Sequence, residues 1–225
     1  MDLIFLSKTV LFRGTTPQEV QTMLSCLNAE TKRFQRGDVI CRAGDVVRSI
    51  ALVLSGSVSI ENDDIWGNKS ILEYVRAGQV FAETYACVPG EPMMVSAVAA
   101  EACEVLFLDT SHVLHVCAHA CGFHNKLIRN LLAIASQKNL NLSRRIFHTS
   151  SKSIRGRLLS YLSHQSVLNG SRDFEIPFNR QQLADYLSVD RSALSNELSK
   201  MQRDGLLRVE RSHFTLTGLE PQEPF

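Results

Sequence analysis

The most constraining feature of this sequence is residues 178–209, where two short helical patterns are separated by a tight turn. Asn179 is a good N-cap, because its side-chain oxygen can accept an early helical N–H. One apolar face then follows at i, i+1 and i+4: Leu183, Ala184 and Leu187. After a turn at 188–191, a second pattern places apolar residues at i, i+4 and i+7: Leu194, Leu198 and Met201. The spacing predicts two helices packed against each other through their apolar sides.

The opposite side of the second helix is polar and holds Arg191, Ser192, Ser195, Asn196 and Ser199. The first residues of a recognition helix reach base edges in the major groove of DNA, where Arg pairs with guanine and Asn with adenine. Asp204-Gly205 ends the helix, and residues 206–210 and 213–216 predict the two strands of a wing. A solvated helix pair without a partner is the simpler alternative. Agreement among cap, turn, spacing and wing favours DNA binding.

Charge is unevenly distributed along the chain. Residues 126–213 carry 15 Lys and Arg against 7 Asp and Glu, a net charge of +8, whereas residues 1–125 carry 9 against 14, a net charge of −5. A basic surface attracts phosphates through counterion release, which predicts that the C-terminal half binds a DNA duplex. Part of the positive charge lies on a long helical pattern, where a solvated helix face is the alternative.

Between about Lys32 and Asp109 the pattern changes to short β runs punctuated by glycine. The runs are 38–42, 49–54, 57–61, 70–75, 94–99 and 104–109. Several evenly spaced short strands with turns between them predict a small antiparallel barrel or roll.

A long helical register follows the predicted roll. Apolar residues and one Asn recur at spacings of 4, 3, 4, 3 and 4: Ile128, Leu132, Ala135, Asn139, Leu142 and Ile146. This is the seam of a coiled coil, and a buried Asn at an a position favours a two-stranded, in-register pair. The sequence therefore predicts a homodimer. A helix packed only on its own roll is the alternative.

Length and composition narrow the class of protein. The 225 residues are enough for two domains of ordinary size, and the 44% hydrophobic content is that of a soluble globular protein. The N-terminus lacks the basic region of a signal sequence, and no apolar run approaches the ~20 residues of a membrane span. We expect a cytoplasmic protein with no membrane partner. Six scattered cysteines lack the density of a disulfide scaffold and predict reduced thiols.

Roll, long helix and winged helix-turn-helix, in this order, resemble the family of the cyclic-AMP receptor protein and the fumarate-nitrate-reduction regulator over nearly the whole chain. The motifs that carry the resemblance are Leu54-Ser55-Gly56-Ser57-Val58, Gly78-Gln79-Val80-Phe81-Ala82-Glu83, Ala102-Cys103-Glu104-Val105 and Asn179-Arg180-Gln181-Gln182-Leu183-Ala184. The expected fold class is α+β. The expected segments are an N-terminal cyclic-nucleotide-binding-like β-roll at 1–125, a long dimerisation helix with a hinge at 126–150, and a C-terminal winged helix-turn-helix domain at 151–225.

The resemblance implies a homodimeric transcription factor that binds an inverted repeat in double-stranded DNA, with RNA polymerase as a further partner. A signal at the roll would reorient the two DNA domains about a hinge near residues 149–153. By matching positions, Arg180 and Gln181 correspond to phosphate contacts, and the groove-facing set is Arg191, Ser192, Ser195 and Asn196. Members that read a characteristic half-site have Glu and Arg where this chain has Ser192 and Asn196, so the half-site sequence does not follow from the resemblance.

The family's nucleotide-binding residues are largely missing. The resemblance implies a Gly-Glu pair followed about ten residues later by Arg-Ser or Arg-Thr. Here Glu83 is retained, Ala82 replaces the Gly, and Met93-Met94 occupies the place of the Arg pair. Burying an anionic phosphate without a cation is costly, so we expect an effector other than a cyclic nucleotide.

The remaining pocket residues are more apolar than a nucleotide site: Ala82, Glu83, Thr84, Met93 and Met94. They favour a small uncharged or cationic organic effector, and an empty pocket is the alternative. Glu83 can equally be a structural carboxylate at the start of a short helix. No N-terminal cysteine cluster for an iron–sulfur centre is present, and the sequence identifies no cofactor.

One further constellation is suggestive. In an uninterrupted helix Cys117, Cys121 and His124 would share a face, where they could bind a metal, undergo thiol oxidation or simply pack in a core. No phosphate loop, nucleophile elbow or zinc-protease motif occurs, so an enzyme is not expected. Two functions stay open: a DNA-binding regulator, or a thiol-redox or metal-responsive sensor that acts mainly through protein contacts.

Overall fold

The computed structural model describes residues 1–63, 66, 69–114 and 122–217. By its internal contacts the chain divides into two compact units, Met1–Gln137 and Lys138–Phe225. No helix among the described residues combines the length and the hydropathy needed to cross a bilayer. Each unit is an α+β structure with its own hydrophobic core.

The first unit contains two helices, a strand-rich region with one short helix, and two further helices, the last of which continues into the second unit. In chain order they are α1 (Leu3–Lys8), α2 (Pro17–Cys26), β1 (Glu30–Phe34), β2 (Val39–Cys41), β3 (Ser49–Ser55), β4 (Ser57–Asp63), β5 (Lys69–Arg76), β6 (Val80–Phe81), α3 (Glu83–Ala86), β7 (Ser96–Ala99), β8 (Cys103–Asp109), α4 (Thr110–Leu114) and α5 (Gly122–Thr149).

The strands form two antiparallel four-stranded sheets, with orders β1-β8-β3-β6 and β2-β7-β4-β5. This arrangement confirms the predicted roll, and all six predicted strand runs overlap observed strands. The prediction missed β1 and β6 and the two N-terminal helices. Strand β1 has no buried residue and carries Glu30, Lys32 and Arg33, so it lacks the apolar alternation by which strands are recognised.

Two apolar clusters build the first unit. One lies inside the roll and includes Val53, Val58 and Val105. The other joins the helices to the outside of the roll and includes Leu6, Phe12, Val20, Leu106 and Leu127. The first half of α5 belongs to this second cluster.

Polar contacts also fix the first half of α5 to the N-terminal helices. The Asn130 side-chain amide donates to the carbonyl oxygens of Leu11 and Arg13 at 3.0 and 2.9 Å, and Lys126 Nζ lies 3.2 Å from Glu19 Oε1. These bonds hold the start of the long helix against its own unit.

The second unit contains the end of α5 and the winged helix-turn-helix. Its other elements are α6 (Ile154–Asn169), β9 (Asp173–Glu175), α7 (Arg180–Leu187), α8 (Arg191–Arg203), β10 (Leu207–Glu210) and β11 (His213–Leu216). The predicted helices, turn and wing strands are confirmed, and Asn179 forms a capping box with Gln182. Helix α6 and strand β9 were not predicted; β9 pairs with β11 to make a three-stranded sheet of order β10-β11-β9.

Two arginines cap the C-terminal end of α7. Arg157 donates to the carbonyl oxygens of Ser151, Leu187 and Ser188 at 2.8–2.9 Å. Arg145, near the end of α5, donates to the carbonyl oxygens of residues 185 and 186 at 3.0 and 3.1 Å. The last carbonyls of a helix lack intrahelical donors and form the negative end of its dipole, so the two guanidinium groups stabilise this end and fix α7 between α5 and α6.

A third arginine joins α6 to α8. Arg155 Nε lies 2.6 Å from Glu197 Oε1, and its terminal nitrogen lies 2.7 Å from Asp204 Oδ2. Both acidic groups raise the pKa of the Arg155 guanidinium. The three arginines together set the orientation of the helix pair within the second unit.

The division between the units falls inside α5 and not at the segment boundaries at 125 and 150 expected from the sequence. The reason is physical: Leu127 and Leu131 are part of the first unit's core, whereas Arg145 and His148 contact α6 and α7. A single continuous helix thus contributes to the apolar core of the first unit and to hydrogen bonds and ring contacts in the second.

The contacts of Arg157 lead to a stability prediction. Replacing Arg157 with Gln removes the charged donor from two partly buried carbonyls and one exposed carbonyl, and we expect the free energy of unfolding to fall by about 1–3 kcal/mol. The measurement is urea unfolding of the full chain followed by circular dichroism. Lys152→Gln, which removes an exposed charge close by, is the matched control and should change stability by less than about 0.5 kcal/mol. Equal midpoints for both variants would show that water replaces the guanidinium.

Candidate nucleic-acid interface and sensor site

Helix α8 presents one polar face because the other face is fully occupied. Leu194, Leu198 and Met201 are buried in the core of the second unit. The helix begins after Asp190, whose carboxylate accepts the Ala193 amide at 2.8 Å. The Ser192 hydroxyl and nearby backbone amides lower the pKa of Asp190, so this N-cap is ionised at neutral pH.

The serine hydroxyls on the exposed face already have internal partners. Ser192 donates to Asp190, Ser195 donates to the Arg191 carbonyl at 2.9 Å, and Ser199 donates to the Ser195 carbonyl at 3.0 Å. Among the residues that the structure describes, the side chains of Arg191 and Asn196 have no hydrogen-bond partner. Of the predicted groove-facing set, these two offer the unused donors.

The two predicted phosphate-contacting residues are engaged inside the module. The half-buried Arg180 guanidinium lies 5.9 Å from the centre of the Phe214 ring and donates to the Arg211 carbonyl at 3.5 Å, and burial lowers its pKa. Gln181 is exposed and donates to Asp185 Oδ1 at 2.8 Å. Each side chain uses one N–H in these bonds, and its remaining N–H groups can still donate to a phosphate.

The wing carries cationic residues that the sequence analysis did not select. Arg208 on β10 and Arg211 in the turn after it are exposed, and neither side chain has a hydrogen-bonding or acidic partner among the described residues. The acidic Asp173 is occupied by His213 and Thr215, at 2.8 and 2.7 Å, and these donors lower its pKa. The excess of basic residues over 126–213 was the sequence signal for these wing arginines. That excess alone does not separate basic residues of the wing from those of the helices.

Helix α5 carries an exposed apolar stripe. Leu132, Leu142 and Ile146 are 66%, 59% and 60% exposed, Ala135 and Asn139 are exposed too, and Ile128 is half-buried. Asn139 Oδ1 accepts the Ser143 hydroxyl at 3.2 Å, and its amide nitrogen is free to donate. Leu140 and Phe147, outside the predicted seam, are exposed as well.

The predicted effector residues differ in their exposure to solvent. Met93 is 3% exposed and packs inside the roll with Val53 and Val105, whereas Met94 is 75% exposed and its amide donates to the Tyr85 hydroxyl at 3.3 Å. Glu83 is buried at the first position of α3, and Thr84 is exposed.

Ala82 has an unusual backbone conformation. It lies in the left-handed region with φ of +61°, at the N-cap of α3. This region favours glycine, because a Cβ there costs roughly 1–2 kcal/mol. Ala82 therefore has the backbone conformation that favours glycine, at the position where the family motif has glycine and this chain has alanine.

Three of the four described cysteines are poor candidates for thiol chemistry. Burial raises the pKa of Cys41 to about 11 and also raises the pKa values of Cys87 and Cys103, with nearby carboxylates adding to each shift. A thiol with a raised pKa holds little of the reactive thiolate at neutral pH.

Cys117 and Cys121 lie outside the described residues. His124 is buried, and neither ring nitrogen has a hydrogen-bond partner among the described residues. Within the described ranges, no group of three or more metal-ligating side chains occurs.

Comparison with known proteins places both units in one family. The model of the cyclic nucleotide-binding domain matches residues 31–120, and that of the Crp-like helix-turn-helix domain matches residues 156–220. Electron transport regulator A of Shewanella oneidensis is 21% identical over 191 residues, which cover 82% of this chain and 74% of that protein.

Solved structures of low identity share the fold. The catabolite activator protein of Thermus thermophilus is 22% identical, with a TM-score of 0.51 and coverage of 92% of this chain and 93% of that chain. The c-di-GMP responsive global regulator CLP of Xanthomonas campestris is 19% identical, with a TM-score of 0.55 and coverage of 90% and 99%. The two domain matches together cover more than half of the sequence, and the chain belongs to the Crp/Fnr family of DNA-binding transcriptional regulators.

Proposed function

We propose that this regulator is a homodimer that binds an inverted repeat in DNA, and that its roll responds to an effector other than a cyclic nucleotide. The observation that carries the proposal is the exposed face of α8, where Arg191 and Asn196 are free to donate. RNA polymerase is the partner through which such a regulator would act.

Arg191 and Asn196 are the proposed base-reading residues. Arg191 is the first residue of α8, where a recognition helix enters the major groove, and its guanidinium matches guanine O6 and N7. Asn196 lies five residues further along the helix and matches adenine N6 and N7. Ser192 and Ser195 use their hydroxyl protons in the internal bonds described above, so toward a base they can act as hydrogen-bond acceptors.

Replacing Arg191 with Ala tests the base contact. We expect discrimination at one symmetric base pair per half-site to fall by about 1–3 kcal/mol, because a bidentate pair is lost. Arg208→Ala is the matched control: we propose that this exposed wing arginine contacts a phosphate, and a phosphate contact carries no base identity, so the variant should weaken all sequences alike. The measurement is binding to a panel of duplexes with single substitutions. An Arg191→Ala variant as selective as the wild type would contradict the assignment.

The proposed dimer rests on the apolar stripe of α5. Leu132, Leu142 and Ile146 expose most of their side chains, and burying a leucine is worth roughly 1.5–3 kcal/mol. A second α5 offers the matching a/d surface, with Asn139 facing its own symmetry mate. Two recognition helices in one dimer would then read two half-sites whose centres lie about 10 base pairs apart.

Replacing Leu142 with Glu tests the seam. Two buried carboxylates would face each other at the dimer axis, so we expect a monomer that no longer binds its operator tightly. Gln137→Glu adds the same charge on the opposite side of the helix and serves as the control, which should remain dimeric. Sedimentation velocity separates the two states. A dimeric Leu142→Glu variant would mean that another surface forms the interface.

The proposed absence of a nucleotide response rests on the Met93-Met94 pair. Met93 packs inside the roll, and Met94 is exposed. A methionine thioether is uncharged, so neither side chain can supply the positive charge that a buried cyclic phosphate requires. Glu83 alone offers a carboxylate, which repels an anion. A small uncharged or cationic organic effector fits these groups better, because one buried carboxylate within an apolar roll can orient a neutral or positive guest.

Calorimetry with cyclic AMP and cyclic GMP is the direct measurement. We expect no binding at physiological nucleotide concentration and no change in DNA affinity. Micromolar binding that disappears in Glu83→Ala would overturn the proposal, because it would demonstrate a nucleotide mode that works without the arginine. Burial raises the pKa values of Cys41, Cys87 and Cys103, so these three thiols do not favour the alternative of a thiol-redox sensor.

A further inference from the structure

We propose that the wing reads the minor groove of DNA through Arg211, beside the major groove that α8 enters. The preferred minor groove would be a narrow, A·T-rich one that borders each half-site. The proposal rests on the proposed function and adds to it a second reading element with its own sequence preference. Arg211 stands in the turn between β10 and β11, outside the base-reading set on α8.

The wing turn holds an arginine where the backbone favours glycine. Glu210 pairs with His213, so Arg211 and Ser212 alone form the turn. A two-residue turn that follows the twist of its strands needs a positive φ at its first residue, which is usually Gly, Asn or Asp. Arg211 has this geometry, with φ of +56°. Its Cβ strains the turn, so an arginine at this position destabilises the wing relative to glycine.

The Arg211 side chain makes no contact that offsets this strain. It is exposed and has no hydrogen bond, ion pair or ring contact among the described residues. Its neighbours are engaged, because the Ser212 hydroxyl donates to Glu175 at 2.8 Å and His213 lies 2.8 Å from Asp173. A strained residue without an internal contact points to a ligand outside the fold. The guanidinium keeps its N–H donors for that ligand.

Two hydrogen bonds fix the wing against the helix pair. The Val209 amide donates to Gln202 Oε1 of α8 at 3.1 Å, and Arg180 Nη2, at the first residue of α7, donates to the Arg211 carbonyl oxygen at 3.5 Å. The wing turn therefore lies beside the start of α7. In helix-turn-helix complexes the first helix crosses the sugar-phosphate backbone while the second lies in the major groove. The groove on the other side of that backbone is a minor groove, so Arg211 would lie at its edge.

The chemistry of the guanidinium selects narrow, A·T-rich segments. A-tracts have a narrow minor groove with enhanced negative potential, which attracts inserted cations. Arginine suits this groove better than lysine, because its guanidinium is more weakly hydrated. G·C pairs add an amino group to the minor-groove edge, which A·T pairs lack. The acidic Glu210 shares one face of β10 with Arg208, which balances its charge.

Binding of the full-length protein to matched duplexes tests the proposal. Selection from a random duplex library first supplies the half-site, and the segments on both sides of it are then built from A·T, G·C or inosine·cytosine pairs. Inosine is guanosine without the minor-groove amino group, so its pair with cytosine presents A·T-like groups in the minor groove and G·C-like groups in the major groove. We expect A·T and inosine·cytosine borders to bind alike, and about tenfold more tightly than G·C borders.

Arg211→Gly removes the guanidinium and keeps the turn, because glycine adopts a positive φ freely. This variant should bind the three duplexes with equal affinity. It should also unfold at the same urea concentration as the wild type or a higher one, since the strain is gone. Arg208→Ala is the matched control, because it too removes one exposed cation of the wing. It should weaken binding to all three duplexes and keep the preference among them.

A wild-type protein that binds the selected half-site equally well between all three borders would overturn the proposal and leave the proposed function intact. Inosine·cytosine borders that bind as weakly as G·C borders would assign the preference to the major groove. An Arg211→Gly variant that keeps the preference, or that unfolds at a lower urea concentration, would contradict the role of Arg211. Failure to select any duplex would overturn the proposed function together with this inference.

Discussion

The packing of one apolar side of α8 is the interaction on which the proposed DNA-reading surface depends. Leu194, Leu198 and Met201 have a single way to leave water, which is to enter the core of the second unit. Once they do so, the rotation of the helix about its axis is fixed, and Arg191 and Asn196 must face outward. Specificity therefore rests on burial, since the exposed residues themselves add little to the stability of the helix.

Charge is arranged to support this surface. The acidic residues of the second unit are largely used internally: Arg155 neutralises Glu197 and Asp204, and Asp190 caps α8. Cations on the wing are left without such partners, so a positive potential remains on the outside. Arginine side chains have two roles in this unit. Arg157 orients α7 by donating to carbonyl oxygens at the end of that helix, whereas the Arg191 side chain has no internal partner among the described residues.

The roll has the family's architecture without the family's phosphate-binding pair. Ala82 adopts a backbone conformation suited to glycine, Glu83 is retained and buried, and the next two motif positions are split between core and surface as Met93 and Met94. A position that faces into a β-roll can be filled by an apolar side chain at little cost, because it then adds to the core. The sensor framework is thus compatible with a change of signal.

Local patterns in the sequence determined the helix-turn-helix, the wing, the roll and the apolar stripe of α5, because caps, turns and side-chain periodicity act over a few residues. The engagement of the α8 serines is likewise local, because Ser192 and Ser195 donate to oxygens of residues two and four positions earlier. Tertiary structure alone decided that α5 divides between the two units, and that residues of α5, α6 and α7 line one cavity. These outcomes depend on contacts between distant segments, whose geometry no local pattern encodes.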